Sequence, residues 1–549
     1  MPFRGEGRLV LYSHIHAKRL AILNAMATTL RHGGPIPNIQ SCGVAPFSAT
    51  RAAGEKRKPP MNVRLDGALA RRTLVLALLL LWPLILFGRP SYISDSASYL
   101  KGGRVAVEFV TAKLFPGAPQ AQAPVAGPSA AKAPNSPVAP SFHEAPKGAR
   151  SVTYSVAAYL LRWPGIDMTA LALVQIVCAA FIAAVTLGVL GVTGWGRFLA
   201  VGAVLAFATP LALSSAYAIP DVFSGFVIAT LILMSLFLDR MSVGVRLVTA
   251  ALTIFSVTAH ASVPPLAMGM VIVGGAILLI GRRFGLARPR WAWAWLIVPP
   301  ALGLIANTAI GFVAFGEVSV AAKRFPTALT RSVVDGPARW YLEKHCATEH
   351  YAVCEVFGTH IPSTINDFLF YKWGLNGRAT PEQMDRIRAE EAEIVMKAAL
   401  EYPGYEAYNL SRNILRQLFR YDLGKSRFKE RLALDAEGTP QLVLSGRQMQ
   451  PVMVMVGMLN NIVLVLCIGW VALNLKRLDN RERFTTLLVV AGLVGNATIV
   501  VAFSSLASRY QARVIWVLPL FLLGMAAAHY RNKSAKARQP ETGKGEAAG

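Results

Sequence analysis

The residues best placed to do chemistry lie in one short stretch, Tyr92-Ile93-Ser94-Asp95-Ser96-Ala97-Ser98-Tyr99-Leu100, just after the first long apolar run. A carboxylate where a membrane helix surfaces is costly unless it pairs or works, because the low-dielectric side of the boundary penalises charge. Asp95 and Tyr99 are four residues apart, so a helix puts them on one face, with Tyr92 about a turn behind. The same Asp95 also reads as the cap of a surface helix.

Composition says what must hold this stretch. The 549 residues are 54% hydrophobic and only 16% charged, with a mean hydropathy of +0.43. A soluble chain carries about 25% charged residues, so the expected fold class is an all-α polytopic membrane protein. The net charge of +26 does not point to nucleic acid. The basic residues sit beside apolar runs, and no basic face interleaved with aromatics is visible.

Ten apolar spans are expected, near 72–88, 167–191, 198–215, 221–238, 246–260, 265–281, 291–313, 451–474, 484–504 and 513–530. With both termini inside, the inner loops hold Arg197, Arg240 and Arg246, then Arg282, Arg283, Arg288 and Arg290, then Lys476, Arg477, Arg481 and Arg483. The short outer loops 214–220 and 261–264 hold neither Lys nor Arg, and only Arg509 and Arg513 break the positive-inside pattern. The seven-span module covers 61–313 and a three-span module covers 451–530, followed by a basic inner tail at 531–549. Residues 1–60, with nine Lys/Arg against Glu6 and Glu55, read as a disordered basic tail or an over-extended start.

Two outer loops are long. Within 89–166, the Pro/Ala-rich tract 115–146 reads as a flexible insertion, and Val152–Trp163 as a short amphipathic helix at the interface. The second loop, 314–450, is a mainly helical extracytoplasmic domain between spans seven and eight, with 18 Lys/Arg against 17 Asp/Glu. Its clearest helix is Pro381–Leu400, opened by Thr380 and a proline at the first position, with another over Asn409–Leu418. Cys346 and Cys354 both fall in this loop and read as one disulfide if the loop is extracytoplasmic.

That topology gathers scattered polar residues on the outer face. Asp95 and Tyr99 are joined there by Tyr217, Pro220 and Asp221, by His260 and Ser262, and by Arg509, Tyr510 and Arg513. Asp221 after Pro220 also reads as a helix cap, His260 as a packing histidine, and Arg509 or Arg513 as a snorkelling side chain. A carboxylate and an arginine at this boundary suit transfer from a lipid phosphate carrier. The carboxylate takes a proton from an acceptor hydroxyl, and the arginine neutralises the departing phosphate. Gly-x-x-x-x-Gly-Lys, His-Glu-x-x-His, Gly-x-Ser-x-Gly and Asp-x-Asp are all absent, which removes most other catalytic classes.

The layout resembles the GT-C superfamily of integral-membrane glycosyltransferases, the group of protein O-mannosyltransferases and lipid A aminoarabinose transferases. In these a first span leads to an outer loop with a catalytic Asp, often Asp-Glu-x-x-Tyr, followed by interfacial helices and a seven-span module. Asp95-Ser96-Ala97-Ser98-Tyr99 matches the Asp and the Tyr, with Ser96 in place of the second acid. The resemblance implies Asp95 as general base with Tyr99 beside it, and Arg509, Tyr510, Asp221 and His260 around the substrate. It implies a polyprenyl-phosphate-linked sugar as donor and a glycan, lipid or protein as acceptor. It leaves a divalent cation open as cofactor and places the chain in a bacterial cytoplasmic (inner) membrane. The outer domain would then shape the acceptor site, with Trp340, Tyr341, Tyr371 and Trp373 as stacking residues or as core. Two other classes fit the same residues: a transporter or flippase with a lined path, and a non-catalytic scaffold of an envelope assembly system.

Overall fold

The computed structural model describes residues 62–114, 150–286, 291–423, 430–435, 440–444 and 450–537. The basic segment 1–60, the tract 115–146 and the last residues of the tail lie outside these.

Helix α1 (Gly67–Leu80) starts ahead of the expected span because Asp66 accepts the Leu69 N–H at 2.9 Å and caps it. Its Arg72 donates to the Thr193 carbonyl at 2.6 Å and lies over the Trp195 and Phe198 rings. Pro83 opens α2 (Trp82–Phe87), which ends at Gly88 with φ 68°, a left-handed turn that glycine adopts freely.

The next two helices, α3 (Ser94–Leu114) and α4 (Val152–Leu160), pack against each other at a glycine pair. A Cβ on Gly103 would lie 1.9 Å from the Ser155 carbonyl oxygen, so only glycine permits this approach. Ser151 caps α4 by accepting the Tyr154 N–H, and the helix stops ahead of Pro164.

The bundle continues with α5 (Thr169–Val189), α6 (Trp195–Phe207), α7 (Leu211–Ser215), α8 (Val222–Leu236), α9 (Val243–Ala259), α10 (Val263–Ile280) and α11 (Ala292–Phe315). Every residue of α8 is buried, as expected of a helix apolar on all sides at the centre of a bundle. An insertion domain follows: α12 (Thr327–Asp335), α13 (Pro337–His345), α14 (Ala352–Phe357), α15 (Leu375–Arg378), α16 (Pro381–Glu401) and α17 (Pro403–Leu418). The chain returns through α18 (Gln450–Asn474), α19 (Asn480–Phe503), α20 (Arg509–Ile515) and α21 (Val517–Ala537).

Among the described residues, seven helices are long and apolar enough to cross a membrane, which makes this an all-α multi-pass membrane protein. The expected spans at 198–215, 221–238 and 246–260 correspond to α6, α8 and α9, of 13, 15 and 17 residues. At 1.5 Å per residue these are about 20–26 Å long, short of a hydrocarbon core of roughly 30 Å. The first is cut at Thr209-Pro210, where the proline ring cannot continue the ladder.

The insertion domain has its own core, built on Leu329, Leu342, Phe368, Ile387 and Ile394. Helix α16 starts after Thr380 as the sequence predicts, and there Thr380 and Gln383 form a capping box. The Cys346 and Cys354 sulfurs are bonded, with their Cα atoms 5.4 Å apart. The expected helix at 409–418 is longer, because Pro403 sets its first turn. Among its described residues the mainly helical segment 314–450 also carries one hairpin, β1 (Glu430–Leu434) paired antiparallel with β2 (Pro440–Leu444), Glu430 opposite Leu444.

Candidate functional site

The turn before α3 is fixed from two sides. Ser91 exchanges backbone hydrogen bonds with Ala216 and Ala218, and the buried Tyr92 hydroxyl accepts the Met168 N–H at 3.0 Å. Ser96 turns its hydroxyl back to accept the Ile93 N–H at 3.1 Å. This leaves Asp95 on the first turn of α3, where the helix end favours a negative charge.

Two guanidinium groups face that carboxylate. Arg150 donates to Asp95 Oδ1 at 2.6 Å, and Arg509 Nη2 lies 3.9 Å from Oδ2. The Asp95 side chain remains 21% exposed, so the pair is reachable rather than sealed. Arg509 also lies over the Tyr510 ring and donates to its hydroxyl at 3.2 Å. Tyr99, one turn along α3, is 4% exposed and meets Tyr154 edge-on at 4.9 Å. Burial pushes its phenol well above the usual tyrosine range, so Tyr99 acts as a neutral wall or donor and not as a base.

One turn beyond Arg509, the chain builds a second, closed cluster. Arg513 is 1% exposed and donates to Asp221 at 3.0 Å, Ser262 at 2.9 Å and Asn496 at 3.1 Å. His260 Nε2 lies 3.8 Å from Asp221, and its Nδ1 meets both the hydroxyl and the backbone N–H of Ser262. Ser262, His260 and Asp221 have the composition of a nucleophilic triad but not its geometry. The histidine–carboxylate separation exceeds a hydrogen bond, and Arg513 already occupies the serine oxygen. Two of the alternative readings do not match the structure, since the Asp221 side chain caps nothing and Arg513 points inward rather than to the lipid surface. His260, by contrast, stands at the end of α9 hydrogen-bonded to Ser262, as a packing histidine does. Of the expected substrate-binding set, Arg509 and Tyr510 therefore stand at the open cluster. Asp221 is committed to Arg513, and His260 stands between the two.

Arg509 lines three cavities. One of about 300 Å³ holds Asp95, Tyr99, Arg150, His260, Phe325 and Tyr510. A second, of about 800 Å³, continues from Asp95 and Arg150 toward the insertion domain. The third, of about 530 Å³, is charged, with Asp221, Arg420, Asp422, Glu430 and Arg513. Asp422 also borders an apolar groove of about 770 Å³ between the end of α17 and helices α18, α19 and α21, lined by Leu418, Phe419, Met458, Leu464, Val494 and Leu518.

Two positioning devices were not visible in the sequence. Arg150 follows the Pro/Ala-rich tract and reads there as part of a linker. Gln417 on α17 is fully buried, and its amide both donates to the Ala507 carbonyl at 3.0 Å and accepts the Ala507 N–H at 3.1 Å. That two-way clamp fixes the loop just before Arg509. Glu391 does related work on the other wall, accepting the Ala328 and Leu329 N–H groups and pairing with Arg324, which places Phe325 over Arg150.

A divalent cation does not fit beside Asp95. The nearest charges are two guanidiniums, and no group of three His, Cys, Asp or Glu side chains comes together among the described residues. Comparison with protein-family models, with curated proteins and with solved structures returns no match.

Proposed function

We propose that this chain is a membrane glycosyltransferase of GT-C type, moving a sugar from a polyprenyl-phosphate donor to an envelope acceptor at the outer face of a bacterial cytoplasmic membrane. In this reading all ten apolar segments lie in the bilayer, with α8 alone of the three short helices enclosed in the protein core, and both termini are cytoplasmic. The observation that carries it is a reachable carboxylate, Asp95, set between Arg150 and Arg509 where the cavities meet.

The chemistry follows from those positions. An acceptor hydroxyl gives its proton to Asp95 as its oxygen bonds to the anomeric carbon. The bond from that carbon to the phosphate oxygen breaks on the opposite face, inverting the centre, and the electron pair leaves with the polyprenyl phosphate. Arg509, with Arg150 in reach, neutralises that charge. The apolar groove beside Asp422 suits the isoprenoid chain, with its phosphate end toward Arg420 and Arg509.

The test compares envelope glycolipids and glycans by mass spectrometry in a deletion strain complemented with intact protein or with Asp95→Asn at matched expression. The transferase reading expects a sugar-sized mass lost in the deletion, restored by the intact protein and not by Asp95→Asn. Full restoration by Asp95→Asn would put the transporter or scaffold class ahead.

A further inference from the structure

The 800 Å³ cavity differs in chemistry from the other spaces around Arg509. Its charged groups, Asp95, Arg150 and Arg509, form one wall. Apart from a few apolar residues such as Phe325 and Leu369, the rest of the lining is neutral and rich in hydrogen-bonding side chains, among them Ser98, Thr327, Thr330, Asn366, Asn376 and Ser504. Amides and hydroxyls both donate and accept, which matches the alternating donors and acceptors of a polyol better than a hydrocarbon chain. A hydrocarbon chain already has its own groove.

Phe370 lines the cavity, and Tyr371 and Trp373 follow it closely in the chain. Phe370, Tyr371 and Trp373 are 44%, 45% and 56% exposed, beside a domain core that buries Phe368 and Leu369 of the same segment. Tyr371 and Trp373 lie 4.8 Å apart, and the Tyr371 hydroxyl accepts from the Asn366 amide at 3.5 Å. Asp367 holds the Trp373 indole N–H at 2.8 Å, so the ring is fixed rather than loose. The segment Asn366–Phe370 is a single π-helical turn, a form often found at functional sites, and it presents both Asn366 and Phe370 to the cavity. Of the four aromatic residues singled out in the sequence, Tyr341 is core and Trp340 packs on Tyr402 and Tyr405. Tyr371 and Trp373 remain as the stacking pair.

We propose that this cavity seats the acceptor and that the acceptor is a neutral glycan, an assignment that rests on the transferase reading for the direction of transfer. Amides and hydroxyls hold the sugar hydroxyls, the exposed aromatic side chains stack on the apolar faces of the rings, and one hydroxyl is left at Asp95.

The test uses the full chain in its host cell with the photoreactive residue p-benzoylphenylalanine at position 370 and, for comparison, at position 419 in the apolar groove. After irradiation the purified adducts are hydrolysed for sugar analysis and digested for peptide analysis, in wild-type and Asp95→Asn backgrounds. The expected result is sugar bound at position 370, several-fold above position 419, without a second polypeptide. Asn366→Leu with Trp373→Ala should cut it about tenfold, as loss of a hydrogen bond and a stacking face predicts. A polypeptide adduct at 370, an isoprenoid or acyl adduct there, or sugar no higher than at 419 overturns the proposal. Failure of the transferase reading looks different: Asp95→Asn cells keep normal glycans while the sugar adduct at 370 persists.

Discussion

Two carboxylate–arginine pairs stand one helical turn apart and do different things. Arg509 and Arg513 are neighbours on α20, yet the first faces Asp95 across 3.9 Å at a cavity mouth and the second closes on Asp221 at 3.0 Å in the core. The buried pair is surrounded: Ser262 and Asn496 accept from Arg513, His260 stands 3.8 Å from Asp221, and Arg513 Nε has no hydrogen-bond partner. The open pair is under-committed, since Asp95 shares itself between two guanidiniums and solvent. A buried, hydrogen-bonded pair specifies structure, whereas a reachable carboxylate with spare lone pairs can accept a proton. The same two residue types thus divide into a fastener and a tool according to burial.

Breaking the fastener should have the largest effect. Asp221→Ala leaves Arg513 buried and uncompensated, a loss of about 3–5 kcal/mol, seen as loss of monodisperse protein in detergent and a collapsed melting transition. Replacing both partners with apolar residues, Asp221→Leu with Arg513→Met, should recover most of that stability. If the single variant melts like wild type, the contrast drawn above fails.

Asp95→Asn should do the reverse, leaving melting unchanged while lowering sugar transfer by roughly 10²–10⁴-fold, the range for loss of a general base. Arg509→Lys keeps the charge but not the planar fork, and transfer should fall by about tenfold or more with little change in stability. Gln417→Met removes both hydrogen bonds to Ala507 at similar volume. Hydrogen exchange should then rise across 504–510 by an amount equivalent to about 1–3 kcal/mol, with α8 unchanged. The smallest effect belongs to Tyr99→Phe. Because burial holds that phenol above its usual value of 10.0, no alkaline limb of the pH–rate profile belongs to Tyr99, and the variant should keep the wild-type limb.

Much of this arrangement was legible in the sequence, for identifiable reasons. Hydropathy and the arginine distribution placed Asp95, His260 and Arg509 at one end of the bundle, because the cost of charge in a bilayer leaves strong marks on composition. Thr380 and Pro381 announced α16 because capping is local chemistry. What escaped was non-local or disguised. The partnership of Asp221 with Arg513 spans 292 residues, and no local pattern encodes it. Gln417 is polar on a soluble-type helix and looks solvated until the fold buries it. Arg150 adjoins a low-complexity tract that masks its role. The break at Thr209-Pro210 hid inside an apolar run because hydropathy does not register a lost N–H.

The Gln417 clamp has a mechanical consequence. Its two hydrogen bonds tie the insertion domain to the loop that leads into Arg509, so the domain and the guanidinium are mechanically linked. A shift of the domain by about 1 Å, enough to change a reaction rate substantially, must either snap the clamp or drag the arginine along. Under the proposed transferase reading, occupancy on the domain side would reach, through this clamp, the guanidinium proposed to meet the leaving phosphate.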